Sequence, residues 1–330
     1  MKVLFNDGDT CLAGVTDFNL RETLECGQCF NFVRTDEGTD SSFCAYRIIA
    51  DGRVLRISEK RFEEDKDNSS TDNGHTEDNT GTCELILHDT SIEDYEQFWK
   101  HYFDLDTDYS LIKKKIVEEC PELEKIIREN PGIRLLNQEF FETLISFIIS
   151  QNKQIPQIKA VVRNLSELAG KRIDLTSDRM HFGDEPDANG QGHISLFPSV
   201  EEMNRLTEDD IRACKAGFRA PYIIDAVRKA YSGEITAESF EGLSTDEARN
   251  KLMTIKGVGE KVANCVLLYS LGRREAFPVD VWMKRIMEEL YFHKDTDKKV
   301  IESFACEKFG EYAGYAQQYL FIYGKMNLKR

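Results

Sequence analysis

The chain has 330 residues, of which 41% are hydrophobic, and it carries a formal net charge of −16 at pH 7. This length allows two domains or one large compact unit. No window approaches the roughly 18 continuous apolar residues of a membrane span, and the first residues lack the apolar run of a signal peptide. We therefore expect a cytoplasmic protein, in a bacterial cytosol or on the nucleoid, without a membrane partner.

The first hundred residues are predicted to form an antiparallel sheet. Short runs rich in β-branched and aromatic residues are typical of strands, and they occur at residues 30–34, 43–50, 54–60 and 83–89. Asp51 and Gly52 are typical of a hairpin turn. Residues 62–84 contain eight acidic residues against one lysine and have no hydrophobic periodicity. This composition predicts a disordered insertion.

From about residue 91 the pattern is helical. Ser91 and Asp94 form a capping-box arrangement that predicts a helix start. Further helices are predicted over residues 137–150, 156–170, 207–217, 244–255 and 311–325, and residues 171–200 are predicted to be a long connection. The expected fold class is therefore α+β, with an antiparallel sheet domain over residues 1–105 packed on a mainly helical domain over residues 106–330.

The nine cysteines are scattered along the chain, which is typical of reduced thiols in a cytosol. Their only close pair is Cys26 and Cys29 in the sequence CGQC. No second CxxC pair is present, so a four-cysteine zinc or iron–sulfur site is not expected. We expect no metal at this pair either.

A basic segment stands out against the acidic chain. Residues 250–285 contain seven basic and three acidic residues, a local net charge of +4. A local basic face can bind a polyanion even when the net charge of the protein is unfavourable. A solvated helical surface would have the same composition, so charge alone leaves both interpretations open.

Within this segment, two glycines separate two predicted helices. Gly257 and Gly259 lie in the sequence KGVG, and the second helix is predicted to begin at Glu260. Glycines allow a tight turn, and the N–H groups at a helix start can bind a phosphate oxygen. An ordinary glycine-containing turn between helices is the alternative that these two residues leave open.

Lys261 and Asp280 add a possible reaction to this hairpin. Lys261 falls in the first turn of the second helix, where the helix dipole disfavours an ammonium ion. A neutral amine is what a nucleophile requires. Asp280 follows nineteen residues later, just before another predicted helix. It is expected to cap that helix, and its carboxylate can also stabilise a developing positive charge.

The order of GVG, Lys261 and the PVD that ends at Asp280 resembles the helix–hairpin–helix glycosylase superfamily of DNA repair. Within that superfamily the chain resembles the 8-oxoguanine DNA glycosylase family. The resemblance runs from about residue 15 to 325, apart from the acidic insertion and residues 171–200, with the helix–hairpin–helix at 244–272. It implies that Lys261 is the nucleophile and Asp280 its partner acid.

The resemblance also implies a pocket for a damaged base. Cys265 lies four residues after Lys261, on the same helical face, and matches the family's base-stacking cysteine. Gln317 and Phe321 are again four residues apart. They resemble the pair that bonds the pairing edge of the flipped base and stacks on its other face. Gly27 matches the glycine whose carbonyl accepts the N7 hydrogen of 8-oxoguanine, which guanine lacks.

Residues implied to contact the DNA depart from the family pattern at several positions. Asn152 resembles the residue that fills the hole left in the duplex. Gln157 stands where the family has an arginine that contacts the orphaned cytosine, and Phe218 where it has an intercalating tyrosine. Arg219 is a second candidate for contact with the opposite base. Trp282 replaces a histidine that is expected two residues after the aspartate.

Together with Lys261 in the first turn of a helix, the resemblance implies a bifunctional DNA glycosylase. It would excise 8-oxoguanine, and related oxidised purines, from duplex DNA by base flipping, a lysine Schiff base and β-elimination. The expected partner is double-stranded DNA with oxidised guanine, and we expect a monomer that needs no cofactor.

Three other functions are alternatives to this one. Lys261 argues against a monofunctional alkylated-base glycosylase, which needs no lysine nucleophile. An iron–sulfur member of the superfamily would need a C-terminal four-cysteine cluster, and only Cys306 follows Cys265. A non-catalytic helix–hairpin–helix DNA-binding module remains open.

Overall fold

The structure is a computed structural model, and it describes residues 1–36, 38, 40, 42–62, 82–175 and 192–328. The insertion predicted at 62–84 lies almost entirely outside the described residues. At its end the prediction is wrong, because Cys83 and Glu84 belong to a strand. None of the helices in the described ranges is long and apolar enough to span a bilayer.

Six antiparallel strands form one sheet in the described part of the chain, in the spatial order β1-β2-β6-β5-β4-β3. They are β1 (Lys2–Asn6), β2 (Asp9–Val15), β3 (Phe32–Arg34), β4 (Phe43–Ala50), β5 (Arg53–Arg61) and β6 (Cys83–His88). Side chains along β6 alternate between buried and partly exposed, as in a sheet with one face on a core. Arg61 pairs directly with Cys83, so the insertion leaves and re-enters the sheet at one point.

The first two strands lie outside the four predicted runs. Asp7 and Gly8 between them have φ angles of 51° and 92°, which suit a type I′ hairpin turn. The Asp-Gly pair is the sequence signal for that turn. The prediction of a plain connection over 171–200 is also wrong in part, because β7 (Arg172–Leu175) pairs with β8 (Gly192–Ser195).

Helices make up most of the rest of the described chain. They are α1 (Leu20–Glu25), α2 (Ile92–Asp94), α3 (Lys100–Tyr102), α4 (Tyr109–Glu119), α5 (Glu124–Glu129), α6 (Phe140–Ser150), α7 (Ile155–Ala169), α8 (Val200–Met203), α9 (Glu208–Ile211), α10 (Ala220–Tyr231), α11 (Thr245–Leu252), α12 (Glu260–Tyr269), α13 (Val281–Met287), α14 (Lys298–Phe309) and α15 (Ala313–Asn327). Ser91 caps α2 as predicted, since its side chain accepts from the N–H of Asp94. The helix predicted from 137 begins at Phe140, where the Glu139 carboxylate is the cap.

Two hydrophobic clusters fill the described part of the molecule. The smaller one joins the sheet to the aromatic side chains of residues 95–103, and Phe18 packs edge-on against Phe103 with ring centroids 5.7 Å apart. The larger one holds the helices together around α6, most of whose side chains are buried. The α+β fold class is therefore confirmed, while the domain boundary after residue 105 stays a prediction.

Arg134 connects the sheet to the helical part of the chain. Its side chain is 4% exposed. Its Nε donates to the carbonyl of Asp17 at 2.9 Å, and Nη2 donates to the carbonyl of Thr16 at 3.1 Å. Its Nη1 donates to the carbonyl of Asp104 at 2.6 Å, and the guanidinium lies 4.3 Å from the ring centroid of Tyr109. One buried cation thus ties the end of the first hairpin to the segment before α4.

Arg134→Met should lower the free energy of unfolding by at least about 3 kcal/mol, because buried carbonyls lose a charged donor while the apolar stem is retained. Arg134→Lys should lose less, since it keeps the charge but not the planar fork. Arg128 is exposed, so Arg128→Met is the control and should change stability by less than about 0.5 kcal/mol. Urea unfolding followed by circular dichroism measures all three. Equal stability would show that Arg134 does not hold the junction.

Candidate active site

A cavity of about 660 Å³ is lined by the loop after α1 and by helices α6, α7, α12, α13 and α15. Seven of the predicted site residues line it: Gly27, Lys261, Cys265, Asp280, Trp282, Gln317 and Phe321. They come from four separate parts of the chain, so the tertiary fold brings them together.

The amine of Lys261 is held in the wall of this cavity. Lys261 lies in the first turn of α12, and its Nζ donates to Oγ of Ser150 at 3.2 Å. It also lies 5.1 Å from the ring centroid of Phe147. Ser150 is the last residue of α6 and was not among the predicted site residues. Its hydroxyl donates to the carbonyl of Phe147 at 2.8 Å, which leaves its oxygen free to accept from the amine.

Asp280 caps α13, as the sequence predicted. Its Oδ1 accepts from the N–H of Met283 at 2.7 Å. A cap of this kind fixes the carboxylate at the helix start, and the residue also lines the cavity that contains Lys261. The helix therefore determines where this negative charge is placed.

Cys265 presents a neutral thiol to the same cavity. The residue is 3% exposed, and burial raises the pKa of its thiol to about 11, although the neighbouring Lys261 lowers it. The thiol therefore keeps its proton near neutral pH. A neutral sulfur behaves as a small polarisable apolar group, which suits contact with the face of a ring.

Gln317 and Phe321 lie one turn apart on α15. Gln317 is 8% exposed, and its Oε1 accepts from Nε2 of Gln318 at 3.1 Å and from the hydroxyl of Tyr269 at 3.5 Å. Neither Gln318 nor Tyr269 was predicted as a site residue, although both line the cavity. Phe321 is partly buried, and the ammonium of Lys325 lies 4.7 Å from its ring centroid.

The loop of Gly27 is fixed by the residue that follows it. Gly27 has a φ of 93°, which favours glycine. Gln28 is fully buried. Its Nε2 donates to the carbonyl of Arg134 at 2.7 Å, and its Oε1 accepts from the N–H of Leu136 at 2.9 Å. The side chain of Gln138 donates to the carbonyl of Gln28 at 2.8 Å. The loop is thus bonded to the segment that leads into α6.

No group of three or more histidine, cysteine, aspartate or glutamate side chains within the described ranges could hold a metal ion. Cys26 and Cys29 are buried free thiols. Burial raises the pKa of Cys26 to about 11 and that of Cys29 well above its usual value. Both therefore keep their protons near neutral pH, whereas a metal binds the thiolate form.

Models of two protein families match adjoining parts of the chain. The family model described as "8-oxoguanine DNA glycosylase, N-terminal domain" matches residues 11–144. The family model described as "HhH-GPD superfamily base excision DNA repair protein" matches residues 145–311. The chain belongs to the 8-oxoguanine DNA glycosylase family. It is an N-glycosylase and DNA lyase, the class of its named relatives.

Members of this family resemble the chain over most of its length. The probable N-glycosylase/DNA lyase of Methanothermobacter thermautotrophicus is 31% identical over 242 residues, which cover 72% of this chain and 75% of that protein. The structure of MBOgg1 with a low-affinity DNA ligand has a TM-score of 0.82 and 39% identity, covering 99% of both chains. The Clostridium acetobutylicum 8-oxoguanine glycosylase/lyase was solved with double-stranded DNA containing cytosine opposite 8-oxoG. It has a TM-score of 0.81 and 34% identity, covering 99% of this chain and 98% of that chain.

The helix–hairpin–helix motif of this glycosylase consists of α11, the hairpin that contains Gly257 and Gly259, and α12. Gly257 has a φ of 76°, and an added Cβ would lie 2.3 Å from Cδ2 of Tyr222. Gly259 is the N-cap of α12 with a φ of −106°, and an added Cβ would meet nothing within 4 Å. Because no described side chain caps α12, the N–H groups of its first turn are open to an external acceptor.

The remaining predicted DNA contacts lie outside the cavity. Asn152, in the turn between α6 and α7, is exposed and has a φ of 52°. Gln157 is exposed near the start of α7, where its Oε1 accepts from a backbone N–H three residues earlier at 3.2 Å. Phe218 is 48% exposed and packs edge-on against Tyr222, with ring centroids 6.1 Å apart. The residues that line the cavity and the predicted DNA contacts on the surface are therefore two separate groups.

Arg219 does not have the position that the sequence suggested. We predicted it as a second contact for the opposite base, but its side chain is 4% exposed. Its Nε donates to the carbonyl of Gln151 at 2.8 Å, Nη2 donates to the same carbonyl, and Nη1 donates to the carbonyl of Ala216 at 3.1 Å. This corrects the prediction, because the guanidinium is occupied in holding the turn that carries Asn152.

The two hairpin glycines should respond differently to alanine. Gly257→Ala should lower the free energy of unfolding by about 1–3 kcal/mol, because it combines a positive φ with a clash against Tyr222. Gly259→Ala should leave stability within about 0.5 kcal/mol of the parent. Thermal unfolding without DNA compares the two variants. If Gly259→Ala were the less stable variant, the assignment of strain to Gly257 would be wrong.

Proposed function

We propose that this glycosylase excises 8-oxoguanine, and related oxidised purines, from double-stranded DNA and then cleaves the strand at the vacated sugar. The observation that carries the proposal is that one cavity contains an amine, a carboxylate and the side chains suited to hold a purine. The related enzyme of Clostridium acetobutylicum, solved with DNA that contains 8-oxoG, adds support. We further propose that the chain acts as a monomer without a metal or an iron–sulfur cluster.

The hairpin and the surface residues hold the DNA in this proposal. Backbone N–H groups at Gly257 and Gly259 bind a phosphate without reading a base. Extrusion of the damaged nucleotide leaves a gap in the duplex. Asn152 and Phe218 are exposed, and they enter this gap from the protein side. Trp282 lines the cavity, so its contact is with the extruded nucleotide.

The cavity walls then hold the extruded base. The neutral thiol of Cys265 lies against one face of the ring, and Phe321 stacks on the other. Gln317 bonds the pairing edge. The carbonyl of Gly27 accepts the N7 hydrogen that distinguishes 8-oxoguanine from guanine. A purine without that hydrogen leaves the carbonyl unpaired in a desolvated site, which costs about 1–3 kcal/mol.

The reaction follows in two stages. In the first, Nζ of Lys261 attacks C1′ of the sugar, the glycosidic bond breaks, and the base leaves with the bonding electrons and takes up a proton. In the second, the C1′–O4′ bond breaks, O4′ takes up a proton that the nitrogen gives up, and a Schiff base forms. C2′ then loses a proton, the C3′–O bond breaks as the 3′ phosphate leaves, and water hydrolyses the Schiff base to free the lysine. Asp280 stabilises the positive charge that develops on the sugar and the amine. Ser150 keeps the amine in position by accepting its hydrogen bond.

Lys261→Gln should abolish both base release and covalent trapping by borohydride, because an amide cannot form a Schiff base. DNA affinity should stay within about threefold, since this proposal places the phosphate contacts elsewhere. Single-turnover release of 8-oxoguanine, borohydride trapping and DNA binding are measured on the same duplex.

The control for this variant is Lys125→Gln, at a lysine whose side chain is 72% exposed and does not line the cavity. It should behave like the parent in all three assays. Release of 8-oxoguanine by Lys261→Gln at the parental rate would disprove the nucleophile. Binding without any release or trapping by the parent protein would instead identify a non-catalytic DNA-binding module.

The rate of excision should depend only weakly on which base lies opposite the lesion. An arginine offers only donors, whereas Gln157 offers one carbonyl and one amide and can turn to suit either kind of base edge. We expect excision opposite adenine, guanine or thymine to stay within about tenfold of that opposite cytosine, or about 1.4 kcal/mol. Single-turnover rates on four duplexes that differ only at this base give the comparison.

Gln157→Arg should raise the preference for cytosine. Gln157→Ala is the matched control, because it removes the capping hydrogen bond without adding a donor fork. It should leave the four rates as close together as in the parent. A preference for cytosine of a hundredfold or more in the parent would mean that a different residue reads the partner base.

A further inference from the structure

The side chain of Gln317 is held in one orientation by two neighbours. Its Oε1 accepts from Nε2 of Gln318 at 3.1 Å and from the hydroxyl of Tyr269 at 3.5 Å. Nε2 of Gln318 also donates to the hydroxyl oxygen of Tyr269. An amide oxygen has two lone pairs, and both are engaged here. The Nε2 of Gln317 makes no such bond within the described residues, so its two N–H groups remain for a ligand in the cavity.

Both neighbours are themselves fixed. Tyr269 is 4% exposed, and its ring stacks on Phe147 with centroids 5.4 Å apart and an interplanar angle of 12°. Burial raises the pKa of its hydroxyl well above the usual value, so the hydroxyl keeps its proton as a donor. Gln318 is 3% exposed. If Gln317 alone turned over, its N–H groups would face those of Gln318, so the three groups can only reverse together.

We propose that Tyr269 and Gln318 are positioning residues that hold the Gln317 amide with its N–H groups toward the base. The cavity then selects a purine with a carbonyl at C6 over a purine with an amino group there. This inference rests on the proposed function, which places Gln317 at the pairing edge. With the amide opposite C6, 8-oxoguanine offers O6 as an acceptor, whereas 8-oxoadenine brings the N–H of its amino group against the N–H of Gln317. A site built to form a hydrogen bond rejects a ligand that leaves its donors unpaired.

The test compares single-turnover excision from two duplexes that differ only in carrying 8-oxoguanine or 8-oxoadenine. We expect the parent to prefer 8-oxoguanine by about a hundredfold or more, and Tyr269→Phe and Gln318→Leu each to reduce that ratio by about tenfold, the effect of one hydrogen bond. A merely structural role would slow excision of both lesions equally. An unchanged ratio in both variants would therefore overturn the inference.

Tyr319→Phe is the matched control. Tyr319 is on the same helix and buried, and its hydroxyl has no partner among the described residues. Its removal should leave the ratio unchanged. A tenfold fall in this control would show that the ratio responds to any change in packing, and would also overturn the inference.

A third lesion tests which atom of the base is read. 8-Oxohypoxanthine keeps O6 but lacks the 2-amino group, so the parent should excise it within about tenfold of 8-oxoguanine. Discrimination as strong as that against 8-oxoadenine would place Gln317 on the amino group and overturn the inference. This comparison needs only the parent protein, so it holds even if both variants fail to fold.

The same assays separate the inference from the function on which it rests. A parent protein that releases no 8-oxoguanine and forms no borohydride adduct would contradict the proposed function. Normal release of 8-oxoguanine together with equally fast release of 8-oxoadenine would contradict the inference alone.

Discussion

The hydrogen bonds of Gln28 hold the loop after α1 on the segment that leads into α6, and the candidate site depends on that junction. The side chain is fully buried and bonds the backbone of both Arg134 and Leu136, at 2.7 Å and 2.9 Å. The segment that contains these two residues leads into α6, which ends at Ser150 beside the amine of Lys261. The loop that would test the base is therefore placed relative to the amine that would attack the sugar. Both are connected to the same helix.

Polar contacts are needed at this junction because the hydrophobic clusters cannot set its geometry. Apolar burial is non-directional, and the sheet and the helices have separate clusters of buried residues. A buried amide left without a partner costs about 1–3 kcal/mol, so any sliding of the sheet breaks several bonds together. Lys113 and Asp17 add an ion pair at 2.5 Å with side chains only 7% and 9% exposed. The specificity of the arrangement thus comes from polar groups within an otherwise apolar interior.

Features encoded by neighbouring residues could be predicted from the sequence, whereas contacts between distant residues could not. Strand alternation, helical spacing and caps are local patterns, and they predicted the α+β fold and the place of Lys261 at a helix start. Ser150 is 111 residues from Lys261, and Gln318 is 49 residues from Tyr269. No periodicity or turn signal reports such pairs. Arg219 was instead predicted wrongly. A basic residue beside the aromatic Phe218 suggests a DNA contact, but the side chain of Arg219 is buried and bonds the protein backbone.

The charge of the hairpin region illustrates the same limit and explains how an acidic protein can hold DNA. Four of the seven basic residues counted between 250 and 285 are bonded to the protein itself: Lys251, Arg273, Arg274 and Lys284. With Lys261 in the cavity, the exposed basic side chains of this segment are Lys256 and Arg285. The proposed phosphate contact there would depend largely on backbone N–H groups, which are neutral and act at hydrogen-bond distance. Charges more than about 10 Å away are screened at 0.1 M salt. The net charge of −16 therefore weakens the contact mainly through those acidic side chains that lie within about 10 Å of it.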